Sequence, residues 1–263
     1  MASGIAHRLH QCHMKVLITE VGAPTAVRRT VAFAEAVYEG CQTIEGVKAV
    51  NVSDAQEALA QWKSGNIPLV VDPEAKIRGS VVPEVIIDAI MAKKNTGTRI
   101  FDAPLVIGVG PGFTAGADVH AVVESNRGYR LGRVIWNGEA EHDTGVPAAL
   151  AGHTKARVLR APRGGRFKAL REIGDVVKKG ESVAEVEGVS IQAQIPGLLR
   201  GLLRNGIHIE AGTKAGDIDP RGERGYCYSI SDKARAIGGG VLEAILHRFE
   251  NGKLPAAWRA FGS

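Results

Sequence analysis

Through the first half of the chain, short apolar, β-branched runs alternate with stretches whose apolar residues recur every three or four positions. Residues 16–20, 47–52, 67–71 and 105–109 read as buried strands, because strands covered on both faces become nearly continuous Val/Ile/Leu runs. Between them, Ser3 opens a helix with Ile5, Ala6 and Leu9 on one side. Residues 24–40 predict a turn and then a helix with Val27, Val31, Ala34 and Val37 in line. Residues 53–63 predict a helix capped by Ser53 or Asp54, with Ala58, Leu59 and Trp62 inward, and 82–93 a helix with Pro83 in its first turn. This alternation predicts an α/β fold with a Rossmann-like, mostly parallel, doubly wound sheet. Residues 119–124 and 131–136 then predict a β-hairpin turning at Gly128.

From 157 to 219 the pattern changes to short, alternating, turn-rich segments, which predict a separate all-β unit. It carries a repeat. Gly174-Asp-Val-Val-Lys-Lys-Gly180 and Gly206-Ile-His-Ile-Glu-Ala-Gly212 share the same glycine spacing and the same apolar interior. Two such units can close into a small sandwich that neither half could bury alone. Ser231 starts a last helix that runs past the glycines at 238–240 to about Phe249, and 253–263 reads as a tail. The expected organisation is an α/β domain over 1–153, an all-β domain over 154–222, and a C-terminal helix with a tail over 223–263, packing back on the first domain.

Candidate chemistry centres on the bend after the 105–109 run. Gly108, Gly110, Pro111, Gly112 and Phe113 follow a buried strand. Glycines let backbone N–H groups approach a phosphate or carboxylate, and ligands of open α/β sheets lie beyond the strands' carboxyl ends. A tight turn leaving a core strand is the alternative. Glu20 ends a strand that follows a helix opened near Gly4, the arrangement in which a carboxylate takes ribose hydroxyls in a dinucleotide site. The first strand and first two glycines of that fingerprint are missing, so the chain is expected to begin inside it, with Gly4 as its last glycine. Arg28, Arg29 and Thr30 could hold an anion at a helix start, or the arginines could simply solvate a helix face. Glu124 and Arg127 flank the hairpin turn, as cofactor contacts or as a surface ion pair. Asp219 and Arg221 could pair with each other or face the glycine bend. The expected ligand is a dinucleotide, NAD(P) or FAD.

Composition narrows the partners. The chain of 263 residues is 44% hydrophobic but only 5% aromatic, so its core must be built of Val, Ile, Leu and Ala. The net charge of +5 is scattered, without a basic stripe interleaved with aromatics, and no nucleic-acid partner is expected. Cys12, Cys41 and Cys227 form no CxxC, which argues against a disulfide framework or a zinc ribbon. Residues 141–145, Glu-His-Asp-Thr-Gly, carry metal-capable side chains, but no second cluster stands at ligand spacing, and no metal is expected. With no signal peptide and no long apolar run, the chain is expected to be cytoplasmic and not in a membrane. A homo-oligomer is left open.

Two resemblances add to this reading. The repeat, with Ala193-Gln-Ile-Pro-Gly197, resembles the biotinyl/lipoyl-type barrel-sandwich hybrid domain. That family modifies a lysine at a hairpin tip, here 186–190, where this chain has none, so covalent biotin or lipoate is not expected. The second resemblance rests on Ser3-Gly-Ile-Ala-His-Arg-Leu, Arg28-Arg-Thr-Val-Ala-Phe-Ala-Glu-Ala-Val-Tyr-Glu-Gly40, Asp88-Ala-Ile-Met-Ala-Lys-Lys-Asn95, Gly110-Pro-Gly-Phe-Thr-Ala-Gly116, Gly132-Arg-Val-Ile, Asp217-Ile-Asp-Pro-Arg and Ser231-Asp-Lys-Ala-Arg-Ala-Ile. Together they resemble the YqeB type of accessory protein found beside selenium-dependent molybdenum hydroxylases in bacteria. That family's start carries a short strand and glycine loop ahead of Ser3, which this chain lacks. The resemblance implies maturation of a molybdenum hydroxylase, handling molybdopterin or a sulfur or selenium ligand, with the hydroxylase or its maturation proteins as partners. Other readings stay open. An NAD(P)-dependent oxidoreductase could use His120, Glu124 or Tyr129 as acid or base. A sulfur or selenium transferase could use Cys41, and the sandwich could serve only to dock a protein.

Overall fold

The computed structural model describes residues 1–147 and 149–249. The expected tail at 253–263 lies outside the described residues. The chain divides into two compact units, each drawn from separated stretches: Met1–Glu20, Val47–Thr144 and Ile230 onward form the first, Val21–Gly46 and Gly145–Ser229 the second. The expected boundaries at 153/154 and 222/223 were continuous.

In the first unit, strands Ile18–Glu20, Ile67–Val71 and Val47–Val52 run parallel. Helix Ala55–Lys63 begins where Asp54 Oδ1 accepts the Glu57 amide at 2.8 Å, and it buries Ala58 but leaves Leu59 half exposed. Trp62 lies partly buried because its indole N–H reaches the Val16 carbonyl at 2.7 Å. A second sheet places Val85–Asp88, Leu105–Val109 and Ala121–Val123 in parallel and adds Val134–Ile135 antiparallel, closing the expected hairpin. The expected helix over 82–93 is absent. Val82 takes a left-handed conformation (φ 43°), and the following apolar residues extend to pair with the glycine strand. Propensity gave way there to a sheet edge in need of a partner.

Two helices cover this second sheet. Ala2–Gln11 lays Ile5 and Leu9 against Ile237, Val241 and Ile245 of the final helix, Asp232–Arg248. The final helix starts at a cap in which Ser231 Oγ accepts the Ala234 amide, and it runs unbroken through its three glycines. Gly240 has a packing reason: a Cβ there would lie 2.0 Å from the Gly132 carbonyl oxygen. Helix backbone and loop backbone therefore meet with nothing between them.

The second unit is built on two four-stranded antiparallel sheets. One runs in the order Val158–Arg160, Lys214–Asp219, Gly197–Leu202, Val176–Val177, and the other Val189–Gln192, Ser182–Val186, Gly165–Ala169, His208–Ile209. The repeat is visible in the strand starts, which fall at 165 and 197, 176 and 208, 182 and 214. Phe167, Leu199, Leu202 and Ile218 are fully buried in one core, and Val27 packs on it. The expected helix over 24–40 is reduced to short turns and Ala36–Glu39. Its side chains take tertiary partners instead. Arg29 donates to the Leu202 carbonyl, and Thr30 to that of Cys227. Arg204 bridges Glu35 and Glu39 and lies over the Tyr38 ring.

The expected fold class is corrected. The α/β part holds no single doubly wound Rossmann-like sheet, because its strands divide between one sheet that carries three parallel strands and a separate mixed one. Nor is the β part a biotinyl/lipoyl-like appendage over 154–222. Residues 21–46 belong to the same compact unit, and a Cβ on Gly201 would lie 2.8 Å from Val27.

Candidate functional site

The glycine bend is half floor and half packing. Gly108 presses on the Phe113 ring, where a Cβ would come within 2.5 Å, and Phe113 itself lies in the core. Gly110 (φ 80°) gives its amide to the Val123 carbonyl and leaves no room for a side chain beside Ser125 Oγ. Gly112 (φ 107°) packs against the Lys93–Lys94 backbone, where a Cβ would come within 2.6 Å, and beyond that contact the surface opens. Pro111 and Gly112 line a cleft of about 390 Å³ together with Lys93, Thr114, Glu139, His142 and Asp143. Lys93 and Asp143 pair across it at 2.5 Å, and Thr114 Oγ1 donates to Glu139 at 2.8 Å.

Glu124 shapes this cleft from below. It is 1% exposed, and its carboxylate accepts the Asn126 amide at 2.7 Å and the Glu141 amide at 2.8 Å. A buried carboxylate that satisfies two loop amides fixes the polar segment around 141–143 against the bend. Close by, burial pushes the Lys233 ammonium below its ordinary range and Arg127 adds to the push, while Glu124 and Asp143 oppose it. The cleft can thus offer a lysine, an imidazole and a hydroxyl to a polar ligand, with two carboxylates set among them.

The other expected site residues are placed elsewhere. Gly4 sits inside the first helix, where a Cβ would meet that of Ala234 at 2.7 Å, so its lack of a side chain serves helix packing. Glu20 ends a strand of the parallel sheet and does not line the cleft. Arg127 takes Asp232 in a two-pronged ion pair, both bonds at 2.7 Å, rather than Glu124. Arg28, Arg29, Thr30, Asp219 and Arg221 all belong to the second unit. Only a single 3-10 turn, Arg29–Val31, starts after Arg28, whose guanidinium donates to the carbonyls of Tyr226 and Ser229. Asp219 and Arg221 pair with each other at 2.7 and 2.9 Å.

Residues raised for catalysis are variously engaged. His120 Nδ1 accepts the Val106 amide at 3.0 Å, and burial, with Arg248 adding, pushes that imidazole below its ordinary value. Tyr129 is fully exposed on the hairpin turn, and Cys41 is exposed on its strand. Among the described residues no group of three or more metal-capable side chains converges, including at 141–145, and no helix is long and apolar enough to cross a membrane.

A curated relative decides the family. "Uncharacterized protein YqeB" of Escherichia coli (strain K12) is 48% identical over 252 residues, which cover 96% of this chain and 47% of that protein. The chain is of the YqeB type. It spans about half the length of the curated relative it matches. No protein-family model matches it. Among solved structures, this YqeB-type chain is similar to the ectoine utilization protein EutE (DoeB) from Ruegeria pomeroyi. That likeness is 13% identical and covers 77% of this chain and 84% of that one, with a TM-score of 0.25. A succinylglutamatedesuccinylase/aspartoacylase from Rhodobacter sphaeroides matches at 14% identity over 77% and 84%, also at TM-score 0.25. These neighbours give no support to a Rossmann sheet with a biotinyl-type appendage, and at such scores they carry no argument of their own. The correction to the fold rests on the sheets.

Sequence reasoning missed part of the cleft. Lys93 and Thr114 stood only within the stretches at 88–95 and 110–116 that carry the resemblance, and Glu139 carried no signal. His142 and Asp143 stood out as metal-capable residues, and in the structure they line the same cleft as Gly112.

Proposed function

We propose that this chain is an accessory factor acting in the cytoplasm in the maturation of a selenium-dependent molybdenum hydroxylase, and that it holds a nucleotide-bearing cofactor or molybdopterin in the cleft beside Gly112. The observation that carries the reading is the cleft itself, open at Pro111 and Gly112 just past the buried strand Leu105–Val109. Its volume of about 390 Å³ falls within the range of small-molecule sites, large enough for a pterin or for one half of a dinucleotide. The residues present fit such a group in part. Lys93 and His142 suit phosphate or ring oxygens, and Thr114 offers a hydroxyl. Asp143 and Glu139 suit the N–H edge of a pterin or a ribose better than a phosphate. The role in hydroxylase maturation draws its support from the YqeB-type resemblance, and the hydroxylase or its maturation proteins are the proposed partners.

Isothermal titration of the chain with NAD, FAD and molybdopterin tests the cleft. At least one is expected to bind, and Lys93→Glu is expected to weaken that binding tenfold or more by placing a third carboxylate in the cleft. Silence from all three ligands, or equal affinity in the variant, contradicts the assignment.

A further inference from the structure

The second unit contains a cluster of cations that the cleft does not use. Asp217, only 2% exposed, is bound by Arg200 at 2.5 Å and by Arg157 at 2.9 Å. The Lys214 ammonium stands 3.8 Å from the same carboxylate, beyond hydrogen-bonding distance, and its side chain is 42% exposed. Arg28 lies within electrostatic range of Arg200, Asp217 and Lys214, and its Nε is buried without a hydrogen-bond partner among the described residues. The neighbouring Asp219 is already held by Arg221 and by Arg200 at 3.2 Å. Arg28, Arg157, Arg200, Lys214 and Arg221 thus surround two carboxylates, Asp217 and Asp219, which cannot neutralise all five, although Arg200 bonds to both and Arg28 donates to the Tyr226 and Ser229 carbonyls. Buried charge of one sign is costly unless it is paired.

We propose that Arg28, Arg200 and Lys214 form an oxyanion site for a phosphate-type dianion, entered from the exposed Lys214 side. A dianion supplies the negative charge the cluster lacks, and it accepts several charge-assisted hydrogen bonds at once, which a single carboxylate already bound by two arginines cannot. Burial pushes both Lys214 and Arg28 below their ordinary values; Arg200 adds to the push in each case and Asp217 opposes it. The site lies wholly within the second unit and does not depend on the cleft.

The dianion could be free phosphate or the phosphoryl end of a larger molecule, and titration of the chain with inorganic phosphate and with ADP, at constant ionic strength set by chloride, separates the two. Phosphate or ADP is expected to bind. Lys214→Gln is expected to weaken that binding at least tenfold, and Lys214→Arg to retain it. Lys214 makes no close bond, so these variants are expected to melt near the parent, and a thermal scan checks that. Binding of phosphate assigns the free ion, and binding of ADP alone assigns the phosphoryl group. Absence of both, or equal affinity in Lys214→Gln, overturns the site. Binding lost in Lys93→Glu and kept in Lys214→Gln would put the ion in the cleft and overturn it as well.

Discussion

Asp217→Ala is expected to lower the unfolding free energy by about 3–5 kcal/mol, the loss typical when one partner of a buried ion pair is removed. Arg157 and Arg200 are 11% and 14% exposed at the side chain, and without Asp217 Arg157 loses its 2.9 Å ion pair and Arg200 its shortest one, leaving Arg200 the 3.2 Å bond to Asp219. Chemical denaturation measures the loss directly. The same carboxylates set a pH dependence. Burial alone would push Asp217 and Asp219 upward. Lys214, Arg200 and Arg157 around the first, and Arg221 and Arg200 around the second, more than reverse it and hold both below the ordinary carboxylate range. A depressed folded-state value stabilises the protein above the unfolded carboxyl value of about 4, and that stabilisation is lost as the pH falls below it. Unfolding midpoints should therefore be level down to about pH 5 and fall steeply below pH 4. The Asp217→Asn variant should show a shallower fall.

Gly240→Ala is the second large effect. Alanine is the better helix former by about 1 kcal/mol, so propensity alone predicts a gain. The added methyl group would lie 2.0 Å from the Gly132 carbonyl oxygen, which is backbone and cannot rotate away. Overpacking of this kind typically costs 1–3 kcal/mol, occasionally more, and about 3 kcal/mol of net loss is expected. Gly239→Ala is the control. Nothing lies within 4 Å of a Cβ there, so it should stabilise by up to about 1 kcal/mol. Thermal unfolding of the pair should move in opposite directions.

How much of this was legible in the sequence depends on the range of the forces involved. Local signals survived folding. The strands at 47–52 and 67–71, the Asp54 and Ser231 caps, the hairpin at 121–135 and the repeat of the second unit follow from alternation, capping and glycine spacing. What failed was set by distant partners. Residues 82–93 and 24–40 carry helical patterns. The first gave way to pairing with the glycine strand, and the second to Arg29 and Thr30 reaching carbonyls across the second unit. The site shows the same division. The bend at 108–112 was legible because glycines around a proline after an apolar run are a local pattern. Lys93 and Glu139 were not: Lys93 lies between strands, and Glu139 is set beside Thr114 by the antiparallel pairing of Gly138–Glu139 with Thr114–Ala115, a contact between distant stretches of chain. Gly4 misled for an instructive reason: close helix packing and close ligand approach both require glycine, and sequence alone does not distinguish them.

Mass spectrometry of small molecules that copurify with the chain bears most directly on the cleft. The account predicts a pterin or a dinucleotide released on denaturing the parent protein and lost or sharply reduced in Lys93→Glu prepared alongside it. Neither class of compound in the parent, or the same amount in both preparations, would contradict a cofactor cleft beside Gly112.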